Sequence, residues 1–278
     1  MPTFRTQMLP SGQVLHYAEQ GSGQGRPMIF LHGYADSWFS FSRILPLLPP
    51  DLRAIALDLR GHGNSGTADG GFTLEDMVQD VLQFMKTLDL TDATVIGHSM
   101  GSFIAQRIAL KATGRVACLV LIGSAARSRN DAVLSLAGVV AGLTDPVDTG
   151  FIRDFQMSGM HSPIPEEFLE RAIAESRKLP ARVWQAAIAG LASDTPPLDF
   201  TGIRCPVMVV WGNRDSMFSR ADQEELAALL PHAYLNVWVD AGHTPHWEDP
   251  ERFVRELLAF ERARLLSMGT PAGLPVSA

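Results

Sequence analysis

At 278 residues, 46% of them hydrophobic and 19% charged, the chain suits one large compact domain or a domain carrying a sizeable insertion. Its formal net charge of −7 disfavours nucleic acid and anionic membrane as partners, because both would repel it. No apolar run is long enough to span a bilayer, Met1-Pro2-Thr3-Phe4-Arg5 lacks an apolar signal core, and the two cysteines, Cys118 and Cys205, make no disulfide framework, so a cytoplasmic protein with reduced thiols is expected.

In chain order, Phe4 to Met8 and Val14 to Glu19 read as short antiparallel strands about a Pro10-Ser11-Gly12 turn. Met28-Ile29-Phe30-Leu31 is apolar throughout, as expected of a strand covered on both faces. Elements then alternate. Phe41 to Leu48 reads as a helix, Ala54 to Leu57 as a strand, and Leu74 to Leu88 as a helix. Thr94 to Ile96 is a strand, Gly101 to Ala112 a helix and Val116 to Ile122 a strand. This rhythm predicts an α/β fold: a mostly parallel central sheet with helices on both faces.

From about Ala125 to Phe200 the buried strands stop, and helical patterns take over at Ala132 to Leu143, Glu166 to Leu179 and Ala181 to Leu191. The α/β rhythm resumes with strands at Val207 to Trp211 and Tyr234 to Val239, and helices at Arg220 to Leu230 and Glu251 to Leu266. The expected organisation is a core made of residues 1–124 and 201–267, a helical cap at 125–200, and a loose tail at 268–278.

Gly97-His98-Ser99-Met100-Gly101 sits where a strand gives way to a helix, the context of a nucleophile elbow. A serine hydroxyl needs a base to take its proton, and the base needs a partner to hold its tautomer. Ser99, Asp215 and His243 each follow a predicted strand, and residues beyond the carboxyl ends of parallel strands converge on one edge. Asp240 rivals Asp215 but would have to reach back along its own loop; His246 rivals His243. An oxyanion needs two donors, and the backbone N–H groups of Met100 and Tyr34 are the candidates.

Several motifs together resemble the α/β-hydrolases of the capped esterase, lactonase and haloperoxidase-like group. They are His32-Gly33, Asp58-Leu59-Arg60-Gly61-His62-Gly63-Asn64-Ser65, the elbow, Gly212-Asn213-Arg214-Asp215, and Gly242-His243-Thr244-Pro245 with Glu248 and Pro250. The resemblance runs from about residue 10 to 265 and leaves the cap unassigned. It selects His243 over His246 through the Gly-His-x-Pro pattern, and implies turn-holding roles for Arg60 and His62. His98, in the variable slot of the elbow, is expected to pack behind the serine. His32, His62, Asp58 and His243 lack the short spacing of a hydrolytic metal site, so no metal and no cofactor is expected.

The reading that follows is a cofactor-free serine hydrolase acting on a small-molecule carboxylic ester or lactone. Acyl-homoserine lactones are one class implied by the resemblance. Haloalkane dehalogenases and epoxide hydrolases carry an aspartate where Ser99 stands, whereas serine-dependent C–C hydrolases and perhydrolases stay open. A hydrolase-fold ligand receptor with very slow turnover is the alternative of a different kind. Trp38, Met157 and Trp184 are expected to line the substrate pocket, with apolar cap residues facing Ser99.

Overall fold

In the computed structural model, which describes residues 1–67, 70–196 and 199–269, the strands are β1 (Thr3–Met8), β2 (Val14–Gly21), β3 (Pro27–Leu31), β4 (Arg53–Leu57), β5 (Ala93–His98), β6 (Val116–Ile122), β7 (Val207–Gly212) and β8 (Tyr234–Trp238). The helices are α1 (Leu74–Thr87), α2 (Met100–Lys111), α3 (Asp131–Val140), α4 (Thr149–Ser158), α5 (Glu166–Ser176), α6 (Ala181–Ala192), α7 (Arg220–Leu229), α8 (Pro245–Glu248) and α9 (Pro250–Gly269). The strands form one sheet in the order β1-β2-β4-β3-β5-β6-β7-β8. β2 pairs antiparallel with β1 and β4; all other neighbours are parallel.

The apolar central strands follow from this layering. Successive side chains point to opposite faces. Ile29, Ile55, Val95, Leu121 and Val209 therefore share one core with Val81 of α1, Ile104 of α2 and Leu226 of α7. Met28, Phe30, Ile96, Val120 and Met208 join the opposite core with Phe253 and Leu257 of α9. Each of these fully buried aliphatic or aromatic side chains stabilises the fold by about 1.5–3 kcal/mol. Local signals agree with the layering: Thr73 caps α1 by accepting from the Asp76 N–H, while Asp76 accepts from the Thr73 N–H.

Helices α3 to α6 are inserted between β6 and β7 and form a helical cap. Their apolar stripes join the core on the α1–α2 side of the sheet through Val133, Ile152, Leu169 and Trp184. α4 was not expected from the sequence, although Asp148 supplies its N-cap by accepting from the Phe151 N–H. The helix expected over Phe41 to Leu48 is instead two 3₁₀ turns, Trp38–Phe41 and Leu45–Leu47. Pro46 lacks the N–H that an α-helix would need there, and Pro49 and Pro50 stop any extension. The tail expected at 268–278 lies outside the described residues beyond Gly269. Among the described residues no helix is long and apolar enough to cross a membrane.

Candidate active site

The turn from β5 into α2 forces Ser99 to φ 48°, ψ −118°, a region that L-residues rarely occupy. The flanking glycines allow it by close approach. A Cβ on Gly97 would lie 2.2 Å from the Gly101 carbonyl oxygen, and one on Gly101 would lie 2.2 Å from the Leu31 carbonyl oxygen. The Ser99 N–H donates to the Ile122 carbonyl across to β6, and its hydroxyl makes no helix-capping bond. Ser99 opens onto a cavity of about 70 Å³, several times the ~10–15 Å³ of such space that one water occupies.

His243 opens onto the same cavity. Its Nδ1 donates to Asp215 Oδ2 at 2.9 Å, and the Asp215 side chain is wholly buried. Asp215 Oδ1 accepts the Met217 and Phe218 N–H groups at 2.7 and 3.0 Å, so both carboxylate oxygens are committed. Its rival Asp240 points to solvent and pairs with Arg214. The His243 N–H donates to the Gly159 carbonyl at the end of α4, tying the histidine loop to the cap. Glu248 holds that loop by accepting the Gly242 and Ser162 N–H groups at 2.8 Å each.

Met100 begins α2, where a backbone N–H has no intrahelical partner. Among the described residues neither the Met100 nor the Tyr34 N–H has a protein acceptor. The Tyr34 hydroxyl donates to the Trp184 carbonyl at 2.7 Å, fastening the loop after β3 to α6. His32 Nδ1 donates to the Gly33 carbonyl while its Nε2 accepts the Leu59 N–H, so both ring nitrogens serve loop geometry. Asp58 accepts the Trp38 and Asn64 N–H groups, and Arg60 pairs with Asp80 through two hydrogen bonds. Among the described residues no group of three His, Cys, Asp or Glu side chains is placed to hold a metal ion.

Three expected pocket residues do not line the cavity. Met157 is 48% exposed, because α4 turns Phe155, Ser158 and Gly159 inward and leaves Met157 on the outer face. Trp184 is fully buried behind the wall, edge-on to Tyr34 and Phe155. Trp38 packs with Phe4 and Phe39 toward the opposite core. Apolar side chains that do line it include Phe103, Val133, Leu136, Phe155, Ile188 and Phe218. Sequence reasoning missed Asp36, which lines the cavity at 3% exposure. Nothing in its spacing signals burial.

Behind the elbow, His98 Nε2 donates to the His243 carbonyl at 3.1 Å, and its ring lies 4.5 Å from that of His246. His246 Nε2 bonds Ser40. Burial keeps these rings neutral: it drives His98 well below the usual imidazole range and lowers His246 to about 3, as it does His62. An unfolded chain takes up protons on these rings below about pH 6.5 and the folded one does not, so stability falls with pH down to about 3. Each such ring contributes up to ~1.4 kcal/mol per pH unit in that window. Asp36, which burial raises to about 7, works in the opposite direction, as do Asp80 and Asp194, which burial also raises; four rings, with His32 lowered as well, stand against these three carboxyls. Thermal melts are expected to show Tm falling from pH 7 to pH 5, less steeply in His246→Gln; parallel curves for the two proteins would rule out a neutral buried His246.

The chain is 31% identical over 245 residues to a pimeloyl-[acyl-carrier protein] methyl ester esterase of Aromatoleum aromaticum, covering 81% of this chain and 93% of that protein. It is 29% identical over 265 residues to the dihydrolipoyllysine-residue acetyltransferase component of an acetoin cleaving system in Pseudomonas putida. That match covers 90% of this chain but 67% of the relative, and the Cupriavidus necator counterpart is covered over only 65% of its length. Among solved structures, esterase RhEst1 from a Rhodococcus species superposes with TM-score 0.80 at 26% identity, over 92% of this chain and 98% of that one. Residues 26–250 match the family model of the alpha/beta hydrolase fold, taking in the elbow, both partner loops and the cap between them, and the chain belongs to that family.

Proposed function

We propose that the protein is a cytoplasmic, cofactor-free serine hydrolase of carboxylic esters or lactones, with Ser99 as nucleophile, His243 as general base and then acid, and Asp215 as the group that orients the imidazole. The observation that carries this reading is the 2.9 Å contact between His243 Nδ1 and Asp215 Oδ2 beside the strained serine. With Nδ1–H committed to Asp215, Nε2 is left with a lone pair for the serine proton. In this reading Nε2 takes the Ser99 hydroxyl proton as attack begins.

Oγ attacks the acyl carbon, and the negative oxygen that forms is received by the Met100 and Tyr34 N–H groups. The Met100 donor also benefits from the positive end of the α2 dipole. The protonated His243 then gives its proton to the leaving alcohol, and water attacks the acyl-enzyme by the same route in reverse. In a lactone the alcohol stays attached to the acyl group, so ring opening yields one hydroxy acid. The esterase activities of the relatives and the unpaired Cys118 and Cys205 are consistent with this reading.

A panel of p-nitrophenyl esters of graded acyl length tests it. Each buried methylene adds about 0.8 kcal/mol of binding, or roughly fourfold, so kcat/KM is expected to rise from acetyl to about hexanoyl and then level off. A monotonic preference for acetate would overturn the apolar-cap part of the reading. Selective cleavage of a vinylogous diketone would assign C–C hydrolysis instead, and turnover well below one per minute on every ester would assign a receptor.

A further inference from the structure

Most of the surface of the catalytic cavity is apolar, and several of its polar side chains are already committed. The Tyr34 hydroxyl is donated to Trp184, Gln156 Nε2 to Ser176, the Ser158 hydroxyl to Phe155 and the Thr244 hydroxyl to Gly159. His98 Nδ1 is left without a partner among the described residues, and so is part of the acceptor capacity of Asp36. Asp36 sits two residues beyond Tyr34, on the loop that offers the oxyanion donor, and it lines the same cavity as Ser99.

Among the described residues no cation pairs with this buried carboxyl. The charged groups that act on it are Glu175 and Asp58, both acidic, and its hydrogen bonds come from the Ser37 N–H at 2.9 Å and the Ser40 hydroxyl. Those use about two of the roughly four acceptor positions a carboxylate offers. Ser40 is itself held from behind, accepting the Trp247 indole N–H at 2.8 Å and lying 3.2 Å from His246 Nε2. The carboxyl is therefore fixed on the wall by a rigid polar base. Burying such a group without a counter-charge is costly, and its two bonds within the loop leave part of its acceptor capacity unused.

We infer that Asp36 is a specificity-determining residue of the acyl pocket, which selects acyl groups carrying a hydroxyl by hydrogen bonding to it. This rests on the esterase reading and deepens it. A hydroxyl is the matching chemistry because it both donates and accepts. It meets the carboxyl in either protonation state, and burial holds Asp36 near neutral pH, at about 7. The neighbouring His98 offers a hydroxyl no donor, since its Nε2–H is spent on the His243 carbonyl, but its unpartnered Nδ1 is a second acceptor, and a ratio that changes in Asp36→Leu is what tells the two apart.

The test compares methyl hexanoate with its 2-, 3- and 6-hydroxy derivatives, reading the kcat/KM ratio of hydroxyacyl to plain ester within each protein. In the wild type at least one derivative is expected to exceed the plain ester. In Asp36→Leu that ratio should fall about 10- to 100-fold, the span of one hydrogen bond to a charged or buried group. Asp36→Asn, which keeps donor and acceptor at nearly the same volume, should retain part of the preference. Because the ratio is internal to each variant, a general loss of activity does not affect it. Equal ratios in wild type and Asp36→Leu, or a wild type that disfavours every hydroxy derivative, would overturn the assignment. Calorimetric Kd values for the same esters on Ser99→Ala give the ratio without turnover. Failure of the esterase reading, seen as no turnover of any ester, is thereby separated from failure of the subsite.

Discussion

Ser99→Ala is expected to abolish burst-phase acyl-enzyme formation and to lower kcat by up to about 10⁶, since no other side chain can supply the attacking oxygen. The backbone should tolerate the change. Serine at this turn already bears a Cβ at φ 48°, so alanine adds no strain, and the hydroxyl it removes caps no helix. Unchanged circular dichroism and Tm beside the lost burst would separate a chemical effect from a folding one. Retention of more than about a hundredth of the activity would exclude the covalent route through Ser99.

Asp215→Asn is expected to cost about 10⁴ in kcat, and the structure supplies the reason. The Met217 and Phe218 N–H groups both require an oxygen at the Oδ1 position, so an asparagine must keep its carbonyl there. Its NH₂ then faces His243 Nδ1, which can only accept, and the ring proton moves to Nε2 where the serine proton should go. Asp240→Asn should change kcat by less than tenfold, because that side chain is exposed and paired with Arg214. The opposite ranking in steady-state kinetics would identify Asp240 as the orienting acid.

Much of this arrangement is readable without coordinates because it is local. Met28 to Leu31 and Val116 to Ile122 are apolar throughout, as a strand covered on both faces requires. The elbow announces itself through two glycines about a serine, and the structure shows backbone carbonyls within 2.2 Å of where their side chains would be. α4 was less legible. Its apolar Phe151, Ile152 and Phe155 are few, and the glycine at position 150 weakens the helical pattern.

The order of the layers, and Ser99, Asp215 and His243 as chain-order candidates, can be read from the residues alone, because periodicity and turn chemistry act between neighbours along the chain. Which side chains meet across the fold depends on how the layers pack. Asp215 is brought to His243 from 28 residues away while Asp240, three residues away, is turned to Arg214. Met157 faces outward while Phe155 faces the cavity, although both are apolar and lie on one helix. Asp36, charged and on a loop, is buried in the wall, because burial is a property of the packed layers around a residue and leaves no periodic trace in the residues beside it.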